Sequence, residues 1–374
     1  MKILQINSAD TFGGGERHFV DLSNALAARG HEVFAVLRAD SPVRERLTLP
    51  DSCVFTLPLR NSLDVASASE LARLAREHEV AIIHAHLARD YPPAAFAARR
   101  APDSRFVLTR HVPFALNSLH RFALANVARV IAVSAGVARK LREQRIFAEE
   151  KITVVANGID FAAYDLALRD FDRAAYRRLM LQTSARFLVG TVGELSETKG
   201  QEDFVRAAGV VARRGLDAEF FIVGEDNSPD GRTRRSIEQL IDAENLRGRV
   251  HVRGYTPDLP RLLAALDVYV SASRAEAFGL ATLEAIICGA TVLATATDGS
   301  REIIGGGAAQ GRLVPVGDTQ ALASGMTELL KDADERAHLS ANAQASVRER
   351  FSLERMVAAT EEVYRRALTR RDEG

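Results

Sequence analysis

Ser273-Arg274-Ala275-Glu276-Ala277-Phe278-Gly279-Leu280-Ala281-Thr282-Leu283-Glu284-Ala285 is the stretch on which the chain turns. Two glutamates, Glu276 and Glu284, stand eight positions apart. The small-residue loop Ala277-Phe278-Gly279 leads from the first toward a helix that holds the second. An apolar strand at 267–271 precedes the loop, and another at 291–295 follows a helix stop at Gly289. The order is strand, loop, helix N-terminus, strand. The first amides of a helix have no partner within it and carry the positive end of its dipole. Such an end binds phosphate, here through the amides of Phe278, Gly279 and Leu280. A carboxylate in the first helical turn can accept two hydrogen bonds from a vicinal diol. A carboxylate on the loop before it faces whatever hangs off the phosphates. Phosphate, a ribose diol and a further hydroxylated group together are the parts of a nucleotide-sugar.

Working outward, the same strand-loop-helix alternation fills the chain. At 374 residues it suits two α/β domains. Its 47% hydrophobic and 26% charged content is that of a soluble globular protein. The formal net charge is zero, so no overall basic field points to nucleic acid. Cys53 and Cys288 lie far apart without metal spacing, as in a reducing compartment. The opening Met1-Lys2-Ile3-Leu4-Gln5-Ile6-Asn7 turns polar too soon for a signal peptide, and no apolar run approaches a membrane span. A cytoplasmic location is the expectation, with the inner face of the membrane also open.

The first domain is expected over 1–165. Strand 3–6, helix 16–29 with Phe19, Leu22 and Leu26 at helical spacing, and strand 32–37 form an opening βαβ unit, which implies a parallel sheet. The loop Phe12-Gly13-Gly14-Gly15-Glu16-Arg17-His18 sits at the carboxyl end of the first strand, where open α/β sheets bind ligands. It lacks the spacing of a dinucleotide fingerprint. One glycine would serve a tight turn; three in a row, Gly14 and Gly15 among them, favour close approach of a ligand to backbone. A helix at 63–78, strands at 80–85, 105–109, 129–133 and 152–155, and helices at 91–100 and 114–126 follow, with Ser134 as the N-cap of a helix to 144. His84, His86 and His111 all fall at carboxyl ends of strands. Singly each reads as a structural histidine; their shared edge makes His111 a functional candidate.

An arginine-rich linker containing a helix is expected at 166–185. The alternation then restarts, giving a second open parallel sheet over 186–351 with strands at 187–192, 218–223, 249–253, 267–271, 291–295 and 311–314. Lys199 opens a helix after the loop Gly193-Glu194-Leu195-Ser196-Glu197-Thr198-Lys199-Gly200, a place to meet a diphosphate. Thr297-Asp298-Gly299-Ser300-Arg301-Glu302 is a second polar loop, readable equally as a plain turn capped into a short helix. The final segment, 352–374, is expected to form a helix that crosses back onto the first domain. No Asp-x-Asp stands at a strand end and no His/Cys cluster shows ligand spacing. A phosphate-bearing leaving group would then be stabilised by helix amides and lysine, with no metal and no cofactor beyond the nucleotide-sugar substrate.

These residues resemble glycosyltransferase family 4, retaining nucleotide-sugar transferases with the GT-B fold: two Rossmann-like doubly wound domains facing across a cleft. Glu276–Glu284 resembles the family's E-x7-E signature. The glycine loop with Ala28-Arg29-Gly30-His31-Glu32-Val33, then Thr109-Arg110-His111, Ile131-Ala132-Val133-Ser134, Val155-Ala156-Asn157-Gly158-Ile159-Asp160, Gly193 to Gly200, Phe221-Ile222-Val223-Gly224 and Val252-Arg253-Gly254 match its other motifs in order. The resemblance implies that Glu284 holds ribose hydroxyls and that Glu276, with the Phe278 and Gly279 amides, contacts the donor sugar. Lys199 would neutralise the diphosphate of a UDP- or GDP-linked donor. His111 would meet the donor sugar from the other domain, Gly14 and Gly15 would let the first loop approach, and Arg253 to Pro257 would lie near the base. It implies a hexosyltransferase of the polysaccharide-biosynthesis kind acting on a glycan or lipid-linked acceptor.

Three departures stand out. Glu194 occupies a position where the family commonly has arginine, and Ala277 and Ala281 replace its usual glycine and proline. An acid at 194 repels a diphosphate unless it turns away or pairs with Lys199; Arg17 and Arg301 are the candidate replacement cations. An inactive nucleotide-sugar-binding module, an epimerase and an inverting transferase are the alternatives. The segment 114–122 mixes apolar and basic residues, which fits either a peripheral membrane contact or a core-facing helix with solvated arginines.

Overall fold

A computed structural model describes residues 1–181, 185–305 and 310–369. The chain forms two compact units, Met1–Ile159 joined by the chain from Leu353 onward, and Asp160–Ser352. In the first, β1 (Lys2–Asn7), β2 (Glu32–Leu37), β3 (Val54–Thr56), β4 (Ile82–Ala85), β5 (Arg105–Arg110), β6 (Val127–Ala132) and β7 (Ile152–Val154) make one sheet in the order β3-β2-β1-β4-β5-β6-β7. Every pairing is parallel. The strands are near-continuous Ile, Val and Leu runs because helices cover both faces of a parallel sheet, so alternation has no solvent side to serve. The edge strand β3 is only three residues long and carries no signal of its own.

In the second unit, β8 (Phe187–Val192), β9 (Ala218–Val223), β10 (Val250–Arg253), β11 (Val268–Ser271), β12 (Thr291–Thr295) and β13 (Arg312–Val314) pair in parallel in the order β10-β9-β8-β11-β12-β13. Two parallel α/β units of this kind are the GT-B architecture. Each sheet reverses its strand order once, between β1 and β4 and between β8 and β11. Loops leaving the carboxyl ends of those strands diverge and leave room for ligand.

The final helix, Leu353–Thr369, belongs to the first unit. Met356, Val357, Val363, Tyr364 and Ala367 join Phe19, Leu22 and Leu26 of the helix Gly14–Ala28 in one core. Arg29 and His31 clasp Glu361 at 2.9 Å. Residues 370–374 of the expected last segment lie outside the described residues, as do 182–184 of the expected linker.

Two expectations are corrected. The boundary falls at Ile159, and much of 166–185 is no free linker. The helices Phe161–Ala167 and Arg173–Met180 are part of the second unit. Arg173 donates to the Ala265 and Leu266 carbonyls at 3.2 Å, and Arg177 to Asp267 at 2.8 Å. Their guanidinium forks satisfy the orphan carbonyls ending the helix Leu259–Ala265. The arginines of the expected linker are structural. Likewise, the helix expected over 114–126 shrinks to His120–Ala123. Arg110 holds the Phe114 carbonyl at 2.6 Å and the Gln144 side chain takes the Leu116 amide at 2.9 Å. The Asn117 side chain accepts from the Leu119 amide, a local turn that competes with helix. Phe114, Leu119 and Phe122 are consequently exposed rather than core-facing. Ser134 caps its helix as expected, accepting from the Val137 amide.

Candidate functional site

In the second unit the loops after β8 and β11 meet at the strand-order reversal. Lys199 Nζ donates to Glu276 Oε2 at 2.6 Å, so the two residues form an ion pair across that point. Both keep some exposure, 31% for the lysine side chain and 16% for the glutamate. Gly200 closes the first loop at φ +67°, and a β-carbon there would stand 2.1 Å from the Ala272 carbonyl oxygen. Glycine is what lets the lysine loop lie against the Glu276 loop. Arg274 reinforces the contact: its amide donates to the Thr198 carbonyl and its guanidinium reaches Asp203 and Glu197.

Gly279, at φ +104°, is the N-cap of the helix Leu280–Ile287 and offers no side-chain cap. Among the described residues the Phe278, Gly279 and Leu280 amides donate to no protein acceptor. Phe278 itself is buried edge-on against Phe351. Glu284 is the fifth helical residue, one turn deeper than the first turn in which the sequence placed it. Its carboxylate accepts from the hydroxyl of Tyr164, a buried residue that the expected boundary at 165 had put in the first domain. The loop 297–302 takes its plainer form, with Thr297 capping the helix Asp298–Ile304. It still abuts the site, since the Gly299 amide donates to the Glu276 carbonyl.

Glu194 does not pair with Lys199. Its side chain is exposed and accepts from Asn227 Nδ2 at 3.2 Å. Of the two proposed replacement cations, Arg301 opens beside the Glu276 loop and donates to the Ala296 carbonyl. Arg17 lies on the first unit's glycine-loop helix with Asp21.

In the first unit the helix Gly14–Ala28 starts with Gly13 as N-cap, and the Glu16 carboxylate accepts from the Gly13 amide at 3.0 Å. Gly15 lies directly beside the His111 ring; a β-carbon there would sit 3.6 Å from Cγ. Gly14 is exposed on the same turn. His111 Nε2 stands 3.2 Å from His86 Nδ1. His86 Nε2 donates to Gln5 Oε1 at 2.8 Å, and Gln5 Nε2 donates to the Tyr364 hydroxyl. Tyr364 in turn bonds His84 Nδ1, whose Nε2 reaches Thr109. His18 packs edge-on to His111 and places Nδ1 2.8 Å from Asn157 Oδ1. Burial lowers all four histidines: His18 to about 4, against the Asn157 hydrogen bond that raises it, and His84, His86 and His111 well below the usual range, with neighbouring imidazoles as the lesser cause for these three. They are neutral at pH 7.

The structure thus brings Glu276, Lys199, Glu284 and the Phe278–Leu280 amides together in one unit, and Gly14, Gly15 and His111 together in the other. Sequence reasoning missed His18, Gln5, Tyr164 and Tyr364 as site partners. Gln5 left a trace as a polar residue inside an apolar strand, and His18 as the last residue of the quoted glycine loop.

Residues 12–163 match the family described as Glycosyltransferase Family 4, and residues 173–346 match Glycosyl transferases group 1. The chain is 28% identical to N-acetyl-alpha-D-glucosaminyl L-malate synthase of Bacillus anthracis, over 94% of this chain and 93% of that one. It is also 28% identical to the lipopolysaccharide core biosynthesis glycosyltransferase LpsD of Rhizobium meliloti, over 99% and 100%. In fold it is similar to Anabaena Alr3699/HepE, solved with UDP and glucose, with a TM-score of 0.84, 24% identity and coverage of 97% and 98%.

Proposed function

The chain belongs to glycosyltransferase family 4, and on that footing we propose that it is a retaining transferase moving a hexosyl group from a nucleotide-diphosphate sugar to an acceptor hydroxyl. The observation that carries this is the Lys199–Glu276 ion pair beside the unpartnered amides of Phe278, Gly279 and Leu280. One cation, three amides and a helix dipole gather where a diphosphate would leave, and two carboxylates flank them for hydroxyls. UDP is the favoured nucleotide, since the similar Anabaena protein is solved with it, and GDP the next. The LpsD relative supports a cell-envelope glycan or lipid-linked acceptor. Among the described residues no helix is long and apolar enough to cross a membrane. The exposed Phe114, Leu119 and Phe122 with Arg121 suit a peripheral contact with the inner, cytoplasmic membrane face.

In this mechanism diphosphate departure and acceptor entry share one face of the sugar. A phosphate oxygen of the leaving group takes the acceptor proton. Lys199 and the helix amides stabilise charge on the leaving group without a divalent ion, while Glu276 orients the sugar and Glu284 the ribose. His111, neutral, contacts a sugar hydroxyl. Neither glutamate acts as nucleophile, so glycosidase logic does not apply. The test is a panel of UDP-, GDP- and ADP-sugars read by thermal shift, followed by acceptor-free hydrolysis and the anomeric configuration of the product. A UDP-sugar that raises Tm and is slowly hydrolysed is expected. No stabilisation by any donor, or an inverted anomer, overturns the proposal.

A further inference from the structure

Three histidines of the first unit, His18 on the helix Gly14–Ala28 and His86 and His111 just past the ends of β4 and β5, bring one ring nitrogen each within 4.8 Å of one another. We propose that they form a site for a zinc-class divalent ion, with a fourth position open on the Gly13–Gly15 side. The ligand nitrogens are prepared by their outer partners. His18 Nδ1–H donates to Asn157 Oδ1, which leaves the lone pair on Nε2. That Nε2 is buried and has no hydrogen-bond partner, on a residue only 3% exposed. His86 Nε2–H donates to Gln5 Oε1, which leaves its lone pair on Nδ1. A carbonyl acceptor on the far nitrogen is the arrangement that orients metal-ligating imidazoles.

The spacing fits. Two nitrogens on a tetrahedral zinc lie about 3.3 Å apart, and His86 Nδ1 to His111 Nε2 is 3.2 Å. Rings on such an ion have centroids about 5 Å apart; here the three separations are 4.7, 5.5 and 5.6 Å. The 3.2 Å spacing serves a His111-to-His86 hydrogen bond equally well. The orphaned His18 lone pair is what that bond leaves unexplained and an ion satisfies. On binding, the His111 Nε2 proton moves to Nδ1, so both bonding nitrogens offer lone pairs. Gly13 and Gly14 are exposed and His111 partly so, which gives the ion an entry side and room for water as fourth ligand. Scattered over positions 18, 86 and 111, the ligands have none of the spacing that marks a metal motif in sequence.

Because His111 is shared with the sugar contact, a bound ion inhibits transfer; that arm rests on the proposed function, whereas binding does not. The experiment uses the full chain stripped by chelator. Titration with Co2+ is expected to give the visible band of a four-coordinate ion at one per chain, displaced by Zn2+. His18→Gln and Asn157→Ala, checked for folding by circular dichroism, are expected to weaken binding about tenfold or more. His338→Gln, an exposed histidine, is expected to leave it unchanged. No four-coordinate band in the wild type, or binding that survives His18→Gln, overturns the site. Stoichiometric binding without loss of UDP-sugar turnover upholds the site and overturns the role given to His111.

Discussion

Substitution at the Lys199–Glu276 pair separates stability from ligand binding with opposite signs. The pair spans 2.6 Å but keeps 31% and 16% side-chain exposure. Solvent screening therefore limits its worth to the fold to about 1 kcal/mol or less, a shift of only about 2–4 °C in Tm. A diphosphate near Lys199 presents a larger interaction. Unit charges about 4 Å apart interact by about 1 kcal/mol in water and about 4 kcal/mol at a surface-like dielectric. An intermediate value of about 2 kcal/mol corresponds to about a 30-fold change in Kd. Lys199→Met should therefore weaken UDP binding about 30-fold by calorimetry while Tm barely moves. Glu276→Gln should do the reverse for binding. It frees the ammonium from its carboxylate, so UDP binds about fivefold tighter. Turnover falls about 10- to 100-fold, because a charged hydrogen bond to the sugar is lost. Unchanged UDP affinity in Lys199→Met, or weaker UDP binding in Glu276→Gln, refutes the assignment of this pair to the diphosphate.

Glu194→Arg should leave the fold intact, because the side chain is exposed and, among the described residues, held only by Asn227. It should tighten nucleoside diphosphate binding; weaker or equal affinity by calorimetry contradicts this. Tyr364→Phe strands Gln5 and His84, both fully buried, at a cost of about 1–3 kcal/mol; Tm should drop by several degrees, and an unchanged Tm counts against that network. Asp90 supplies a pH dependence. Burial raises its carboxyl from 3.8 to about 6, against the Ser8 amide that donates to it. Between those values the folded chain holds a proton that the unfolded chain has lost, so stability falls as pH rises through that window and levels off above it. The change is about 3 kcal/mol, read as the urea midpoint at several pH values. Asp90→Asn should flatten the curve, and an unaltered slope would assign it to another group.

Much of this protein is legible without coordinates. Parallel sheets force contiguous apolar strands, so Ile82–Ala85, Ala218–Val223 and Thr291–Thr295 announce themselves. Ligands gather at carboxyl ends of strands, so Lys199, Glu276 and His111 could be named from their place after a strand. Local signals failed where tertiary contacts overrode them. The arginines of Arg173–Met180 read as part of a linker until the carbonyls at 265 and 266 showed what they cap. The apolar stretch 114–126 lost its helix to bonds from Arg110, Asn117 and Gln144.

The sequence by itself determined that two doubly wound units exist and that a helix start flanked by acids, the proposed phosphate grip, lies in the second. Both follow from periodicity and from chemistry within a few residues. Only the tertiary structure decided the partners: that Lys199 pairs with Glu276 and leaves Glu194 to Asn227, that Tyr164 holds Glu284, and that His18, His86 and His111 converge on one point. Strand order sets those meetings. β1 lies between β2 and β4, and β8 between β9 and β11, so residues tens of positions apart become neighbours. The stretch 273–285 therefore supplies half of an ion pair and a row of helix amides, and the fold completes the rest.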